Sequence, residues 1–131
     1  MRERSAAVDA RQSLRPPSPN YGAFGTEDAA LSAILARLVE AIDPEAVYLF
    51  GSRARGDATP YSDFDILLVT PSNNARGEIG PAEAYAPLLG LGIACDVLAC
   101  SREDFEREKA EKTGICRTVL REGRLLYERR R

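Results

Sequence analysis

Two aspartates, Asp63 and Asp65, stand two positions apart at the start of the apolar segment 66–69. Side chains two apart on a β-strand share a face, so the two carboxylates would point the same way with their Cα atoms about 6.5–7 Å apart. Phe64 and Ile66 would then point into the opposite, core-facing layer. Because hard divalent cations such as Mg²⁺ prefer carboxylate and phosphate oxygens, the pair predicts a cation site.

A third carboxylate, Asp96, is the only charged residue in the apolar segment 93–99. An ionised carboxylate among buried apolar neighbours costs several kcal/mol, roughly, unless it is paired or bound to a metal. If this segment lies beside the Asp63 strand, Asp96 completes a cluster of three acids. Each acid taken alone has simpler readings: two surface acids at a strand entry, the Asp-x-Asp of sugar-nucleotide glycosyltransferases, or a solvent-facing or arginine-paired Asp96.

A possible anion site precedes the acids. Gly51 and Ser52 follow a buried apolar run, and Arg53, Arg55 and Gly56 follow them. A glycine turn from a strand into a helix lets backbone N–H groups face an anion such as phosphate. The lysine that a P-loop requires is absent, and the GxGxxG pattern fails at Arg53. A plain tight turn with solvated arginines would show the same residues.

The segments around these residues predict a small mixed sheet. Residues 46–50, 63–69 and 93–99 are short apolar runs bounded by turn residues, which is typical of buried strands. We expect the Asp63 strand between or beside the other two. Residues 124–127 predict a final edge strand.

Helices are predicted between the strands. Thr26 is expected to cap a helix that ends before Pro44, because apolar residues recur there at helical spacing. A short helix after Pro81 and two further helices between Ser101 and Gly123 follow. The order of elements predicts a two-layer α+β (α/β) fold, a small mixed sheet with helices on one face. Residues 1–25 are expected to form a flexible arm and residues 26–131 the domain.

Composition excludes several classes of chemistry. The chain has 131 residues, a formal net charge of −2 and no histidine, which excludes Ser-His-Asp and Cys-His machinery and histidine-bound zinc. The charge balance does not favour direct nucleic-acid binding. No apolar run reaches the roughly 18–20 residues that span a bilayer. Three cysteines without a signal-peptide pattern favour a cytoplasmic protein with free thiols.

The motifs together resemble a known family. Gly51-Ser52, ten intervening residues, Asp63-x-Asp65 before an apolar strand, and Asp96 in a later strand are similar to the nucleotidyltransferase domain of the DNA polymerase beta superfamily. The text LFGSRARGDATPYSDFDILLV most resembles its minimal nucleotidyltransferase (MNT) branch, whose members often act as antitoxins beside HEPN-domain partners. The layout matches over residues 26–127.

The resemblance implies a nucleotidyltransferase fold and transfer of a nucleoside monophosphate, AMP from ATP being the expected case, to a hydroxyl on a HEPN-like partner protein. Asp63, Asp65 and Asp96 would be catalytic and would bind Mg²⁺ or Mn²⁺. Gly51, Ser52, Arg53 and Arg55 would bind the nucleoside triphosphate. The alternative is a non-catalytic antitoxin that only binds its partner and keeps a vestigial metal site.

Overall fold

The computed structural model describes residues 18–71 and 79–130. The strands are β1 (Ala46–Phe50), β2 (Phe64–Thr70), β3 (Cys95–Ser101) and β4 (Arg124–Glu128). The helices are α1 (Glu27–Ile42), α2 (Ser52–Arg55), α3 (Pro81–Tyr85), which a 3₁₀ turn (Ala86–Leu88) extends, α4 (Arg102–Glu111) and α5 (Gly114–Glu122). Most of the predicted arm, residues 1–17, lies outside the described residues, as do residues 72–78. Within these ranges no helix is long and apolar enough to cross a membrane.

The four strands form one mixed sheet in the order β3-β2-β1-β4. β1 pairs antiparallel with β2 and with β4, whereas β2 and β3 are parallel. The register between β1 and β4 shifts between Val47 and Tyr48, but β2 and β3 pair regularly along their whole length. The predicted mixed sheet and α+β class are therefore confirmed, with the Asp63 strand in the interior of the sheet.

Helix α1 forms where the apolar spacing predicts it. The Thr26 hydroxyl accepts a hydrogen bond from the Ala29 N–H at 3.1 Å and so caps the helix. Asp43 ends it in the left-handed conformation, with φ of 55°. The buried side chains of the helix recur every three or four positions and pack on one face of the sheet: Ala30, Leu31, Ile34, Leu38 and Ile42.

Helices cover both faces of the sheet, which differs from the expected two layers. On the face opposite α1, Leu67 and Val69 of β2 are buried against Phe105 of α4 and Val119 of α5. The physical reason lies in the strands, because β2 is apolar at successive positions and therefore has two faces to bury. The Tyr48 and Phe105 rings stack on this second face with their centroids 5.6 Å apart.

Replacing Phe105 tests whether the second layer carries stability. Phe105 is 2% exposed, so Phe105→Ala should lower the free energy of unfolding by about 3–5 kcal/mol through the cavity it leaves. Leu89→Ala is the control, because Leu89 is 63% exposed and surface substitutions usually change stability by less than about 0.5 kcal/mol. Urea denaturation measures both variants. Equal losses of unfolding free energy in the two variants would contradict a stabilising role for the second layer.

Candidate active site

The three predicted acids meet at one end of the sheet. The parallel register sets Asp65 of β2 directly beside Asp96 of β3, and Asp63 stands immediately before β2. Asp65 and Asp96 share the face of the sheet that also carries Leu67. Asp65 is half-buried, whereas Asp63 and Asp96 are exposed.

The charges of the three carboxylates act on one another. Burial raises the pKa of Asp65 above its ordinary value of 3.8, and the charges of Asp96 and Asp63 raise it further, while Arg55 opposes them. The thiol of Cys95 responds to the same cluster: burial first, then Asp63, Asp96 and Asp65, raise the pKa of Cys95 to about 12. The structure therefore brings the three predicted acids into one negative field, with a protonated thiol next to it.

The donor set of this cluster suits a hard cation. Carboxylate oxygens are the ligands that Mg²⁺ and Mn²⁺ prefer, and a cation would offset the burial and the neighbouring charges that together raise the pKa of Asp65. In the described part of the chain, no three His, Cys, Asp or Glu side chains already surround one point as metal ligands. Phosphate oxygens and water would have to complete the coordination of any cation held there.

Gly51 lies against the carboxylate of Asp65. Its φ of 72° and ψ of −158° belong to a region that only glycine adopts readily. A Cβ at this position would stand 2.1 Å from Oδ2 of Asp65. The Gly51 carbonyl accepts hydrogen bonds from Ala54 N and Arg55 N, so the turn leads directly into α2, which begins at Ser52. The structure thus joins the predicted anion-binding turn to the acid cluster.

The side chain of Arg53, which was predicted to bind phosphate, is buried inside the protein. Its side chain is 1% exposed and pairs with Glu27 Oε2 at 2.7 Å. The guanidinium also donates to the Ser62 carbonyl from Nε and from the second terminal nitrogen, to the Pro60 carbonyl and to the Tyr21 hydroxyl. Since these bonds occupy the guanidinium inside the protein, Arg53 holds the loop before Asp63 in this structure. No pattern in the sequence indicates this inward orientation.

Arg55 remains at the surface beside the acids. Its side chain is 45% exposed, with Nε 3.3 Å from an Asp57 oxygen and a terminal nitrogen 3.3 Å from a Glu122 oxygen. Exposed pairs of this kind are weak, so the guanidinium can leave them for a stronger anion. Of the two predicted arginines, Arg55 is the one whose position suits a phosphate.

The end of the predicted arm packs against this site. Asn20, which sequence patterns do not single out, hydrogen-bonds to the loop before Asp63 and to the segment before Asp96. Asn20 therefore contacts the domain although it precedes the predicted boundary at residue 25. The cause is side-chain-to-backbone bonding, which composition does not report.

The family comparison follows from the same residues. The model of the nucleotidyltransferase domain family matches residues 31–126, a range that contains Gly51, Ser52 and all three acids. The chain belongs to the nucleotidyltransferase domain family. The similarity that the sequence shows to minimal nucleotidyltransferases is thereby confirmed.

Individual relatives agree with this membership. A Methanocaldococcus jannaschii protein named "Putative protein adenylyltransferase" is 37% identical over 81 residues, which are 62% of this chain and 76% of that protein. A crystal structure of a "putative nucleotidyltransferase" from Sulfolobus solfataricus has 22% identity and a TM-score of 0.50, covering 76% of this chain and 78% of its own. A crystal structure of a toxin-antitoxin with AMP-PNP has 22% identity and a TM-score of 0.53, covering 75% and 73%. The two structures share the fold of this nucleotidyltransferase.

A pair of glycine substitutions tests the contact between the turn and the acids. Gly51→Ala should abolish binding of AMP-PNP with Mg²⁺, because its Cβ would displace the Asp65 carboxylate. Gly56→Ala is the matched control: Gly56 has φ of 88° but open space around its Cβ, so it should lose only about 1–2 kcal/mol of stability to backbone strain. The thermal shift on adding AMP-PNP and Mg²⁺ measures binding. The interpretation fails if both variants keep, or both lose, that shift.

Neutralising Asp65 should stabilise the metal-free protein. Because its pKa is raised above 3.8 in the folded state, the folded protein holds this proton more tightly than the unfolded chain, and stability falls as the pH rises from about 3.8 through the raised value. The penalty is fully present once the pH exceeds the raised pKa, so Asp65→Asn should raise the Tm there and flatten the acid-side slope. A change of 1 kcal/mol moves the Tm of such a domain by roughly 4–8 °C. Calorimetry in EDTA across pH 3.5–7 measures it; a lower Tm at pH 7 would contradict the repulsion.

Proposed function

We propose that this nucleotidyltransferase transfers AMP from ATP to a hydroxyl group on a partner protein. The observation that carries the proposal is the in-register pair of Asp65 and Asp96, with Asp63 beside it and the Gly51 backbone against Asp65. The relative named as a protein adenylyltransferase supports the choice of AMP and of a protein acceptor.

Asp63, Asp65 and Asp96 would hold Mg²⁺ or Mn²⁺. When bound, the cations would offset phosphate charge and stabilise the attacking and leaving oxygens of an in-line displacement. The absence of histidine is no obstacle, since a carboxylate can also accept the proton.

The remaining groups of the chain bind and orient the triphosphate. Gly51 and Ser52 offer the strand-to-helix turn to the β- and γ-phosphates, and the exposed Arg55 offsets charge on the pyrophosphate. Asp96 accepts the proton of the acceptor hydroxyl while that oxygen attacks the α-phosphorus. The bond between the α-phosphorus and the bridging oxygen breaks, and pyrophosphate leaves.

The site lies at the surface near exposed apolar side chains, which suits an acceptor that is itself a protein. Asp96 and Leu98 point to the same side of β3, a terminal strand of the sheet, and Leu98 is 41% exposed. Further large apolar side chains are exposed in the C-terminal elements: Ile115, Leu120 and Leu125. Such residues mark contact surfaces when they are grouped.

The partner that we propose is a HEPN-like toxin, which this protein would neutralise as an antitoxin by adenylylating it. The similarity of the motifs to the MNT branch supports this role, and the solved toxin-antitoxin with AMP-PNP has the same fold at 22% identity. The proposal includes a stable or transient complex between the two proteins.

Labelling of the partner tests the function. The purified chain is incubated with the protein encoded next to it, Mg²⁺ and ATP, and the partner's mass is measured for the addition of AMP. Asp96→Asn should lower the rate by at least about 100-fold, as expected for loss of a general base and metal ligand. Asp104→Asn is the control, because this acid lies on α4 and pairs with Arg107, so its rate should equal that of the unmodified chain.

The outcomes separate the two readings of the protein. Labelling by Asp96→Asn at the full rate would contradict the catalytic assignment. Neutralisation of the partner by the unmodified chain with no added AMP would favour the antitoxin that only binds. Partner binding by Asp96→Asn should persist in either case, because the exposed apolar residues of α5 and β4 are unchanged.

A further inference from the structure

A short segment before α1 connects the two backbone stretches that lead to the acids. Asn20 donates from its backbone N–H to the Pro60 carbonyl at 2.8 Å. Its side-chain amide donates to the Ser62 carbonyl at 3.0 Å and to the Ala94 carbonyl at 2.9 Å. In return, the Ala94 N–H donates to Oδ1 of Asn20 at 2.7 Å. We call residues 19–22 the N-terminal strap.

The contacts of the strap lie immediately before the carboxylates. Ser62 is the residue before Asp63, and Ala94 stands two positions before Asp96. Where these two stretches enter the sheet, they join directly through the Phe64 N–H, which donates to the Ala94 carbonyl at 3.1 Å. One amide side chain thus spans the entrances to β2 and β3, the strands whose separation sets the distance between the acids.

Arg53 also holds the Ser62 carbonyl in place. The Ser62 carbonyl accepts from Arg53 Nε at 3.1 Å and from a terminal nitrogen at 2.8 Å, in addition to the bond from Asn20. The guanidinium lies over the Phe64 ring, 4.2 Å from its centroid, and 5.1 Å from that of Tyr21. A carbonyl with three donors is held firmly, although the loop around it has no helix or strand.

A glycine permits the strap to lie this close. Gly22 has φ of 56°, and a Cβ there would stand 2.4 Å from the Leu91 carbonyl oxygen. The strap therefore packs closely against the segment before β3, and the contact requires a glycine at position 22. It also lies outside residues 31–126, the part that matches the family.

We propose that Asn20 is a positioning residue for the carboxylate cluster. Its amide holds the entrance to β2 against the entrance to β3, so that Asp63 keeps its place beside Asp65 and Asp96 although like charges push the three side chains apart. This inference rests on the proposed function, because it assigns to the strap the geometry of a cation and triphosphate site. Partners that orient metal ligands from behind typically change metal affinity by about 10–100-fold when removed.

The test compares Mn²⁺ binding in two variants of the full chain. Asn20→Ala removes all three side-chain bonds and should weaken Mn²⁺ binding, measured by electron paramagnetic resonance with AMP-PNP present, by about 10-fold or more. Arg37→Ala is the matched control, since it removes one long-range bond from a side chain to a backbone carbonyl, at Pro87 and 3.2 Å. It should leave the Mn²⁺ affinity unchanged. Urea denaturation of both variants without metal separates affinity from stability.

A second variant distinguishes position from charge. Asn20→Asp keeps an acceptor for the Ala94 N–H but loses both amide donations, and it adds a negative charge that by itself would strengthen cation binding. If Asn20 acts by position, Asn20→Asp should bind Mn²⁺ more weakly than the unmodified chain, and its Phe64 amide should exchange hydrogen faster. Stronger binding by Asn20→Asp would overturn the positioning role.

Two further results distinguish failure of the positioning role from failure of the proposed function. If the unmodified chain binds Mn²⁺ and Asn20→Ala binds it equally well, the positioning role is overturned while the proposed function stands. If the unmodified chain binds no Mn²⁺ with AMP-PNP, the proposed function is overturned and the inference with it. Weakened binding with a free energy of unfolding close to that of Arg37→Ala supports the proposal.

Discussion

The register between β2 and β3 is the constraint on which the site depends. Because side chains alternate along a strand, a slip of one residue would send Asp96 to the opposite face from Asp65. The register is kept by apolar residues on both faces, notably Ile66 and Val97 on one face and Leu67 on the other. Burial of these side chains therefore stabilises an arrangement of carboxylates that repel one another. The hydrophobic core and the acid cluster are two consequences of one strand pairing.

The unequal burial of the acids follows from this arrangement. Asp65 lies on an interior strand with Gly51 packed against it, whereas Asp96 lies on a terminal strand and Asp63 in a loop. One carboxylate is thereby fixed and partly desolvated, and the other two stay open to water and to incoming groups. The proposed transfer would use this difference, because one fixed carboxylate and two accessible ones can serve a triphosphate and a protein acceptor in the same site.

Much of the fold follows from the sequence because local signals and burial agree. Helix α1 is visible in its apolar spacing, and the strands in short apolar runs beside Gly51 and the aspartates, with boundaries that differ by a residue or two at β2 and β3. The spacing of Asp63 and Asp65 predicted that this pair shares a face, and Asp96 was expected to join them if its strand lay beside theirs, which it does. The ligand roles of the three acids stay predictions. The second helical layer was missed although β2 is apolar on both faces, because an apolar run does not show which helices of the chain cover each face. The inward orientation of Arg53 and the contacts of Asn20 were missed for another reason: most of their hydrogen bonds go to backbone carbonyls, which every residue carries, so no pattern in the sequence marks them.

The regular pairing of β3 has a consequence for solubility. β3 is a seven-residue terminal strand without an irregularity in its register, and Asp96 is its only charged residue. The other terminal strand, β4, begins with Arg124, ends with Glu128 and has an irregular register, which are features that discourage sheets from joining edge to edge. On β3, Asp96 is the only charged residue that can discourage such pairing. Neutralising the carboxylate proposed for catalysis is therefore also expected to favour pairing of β3 with other strands, a consequence separate from any loss of activity.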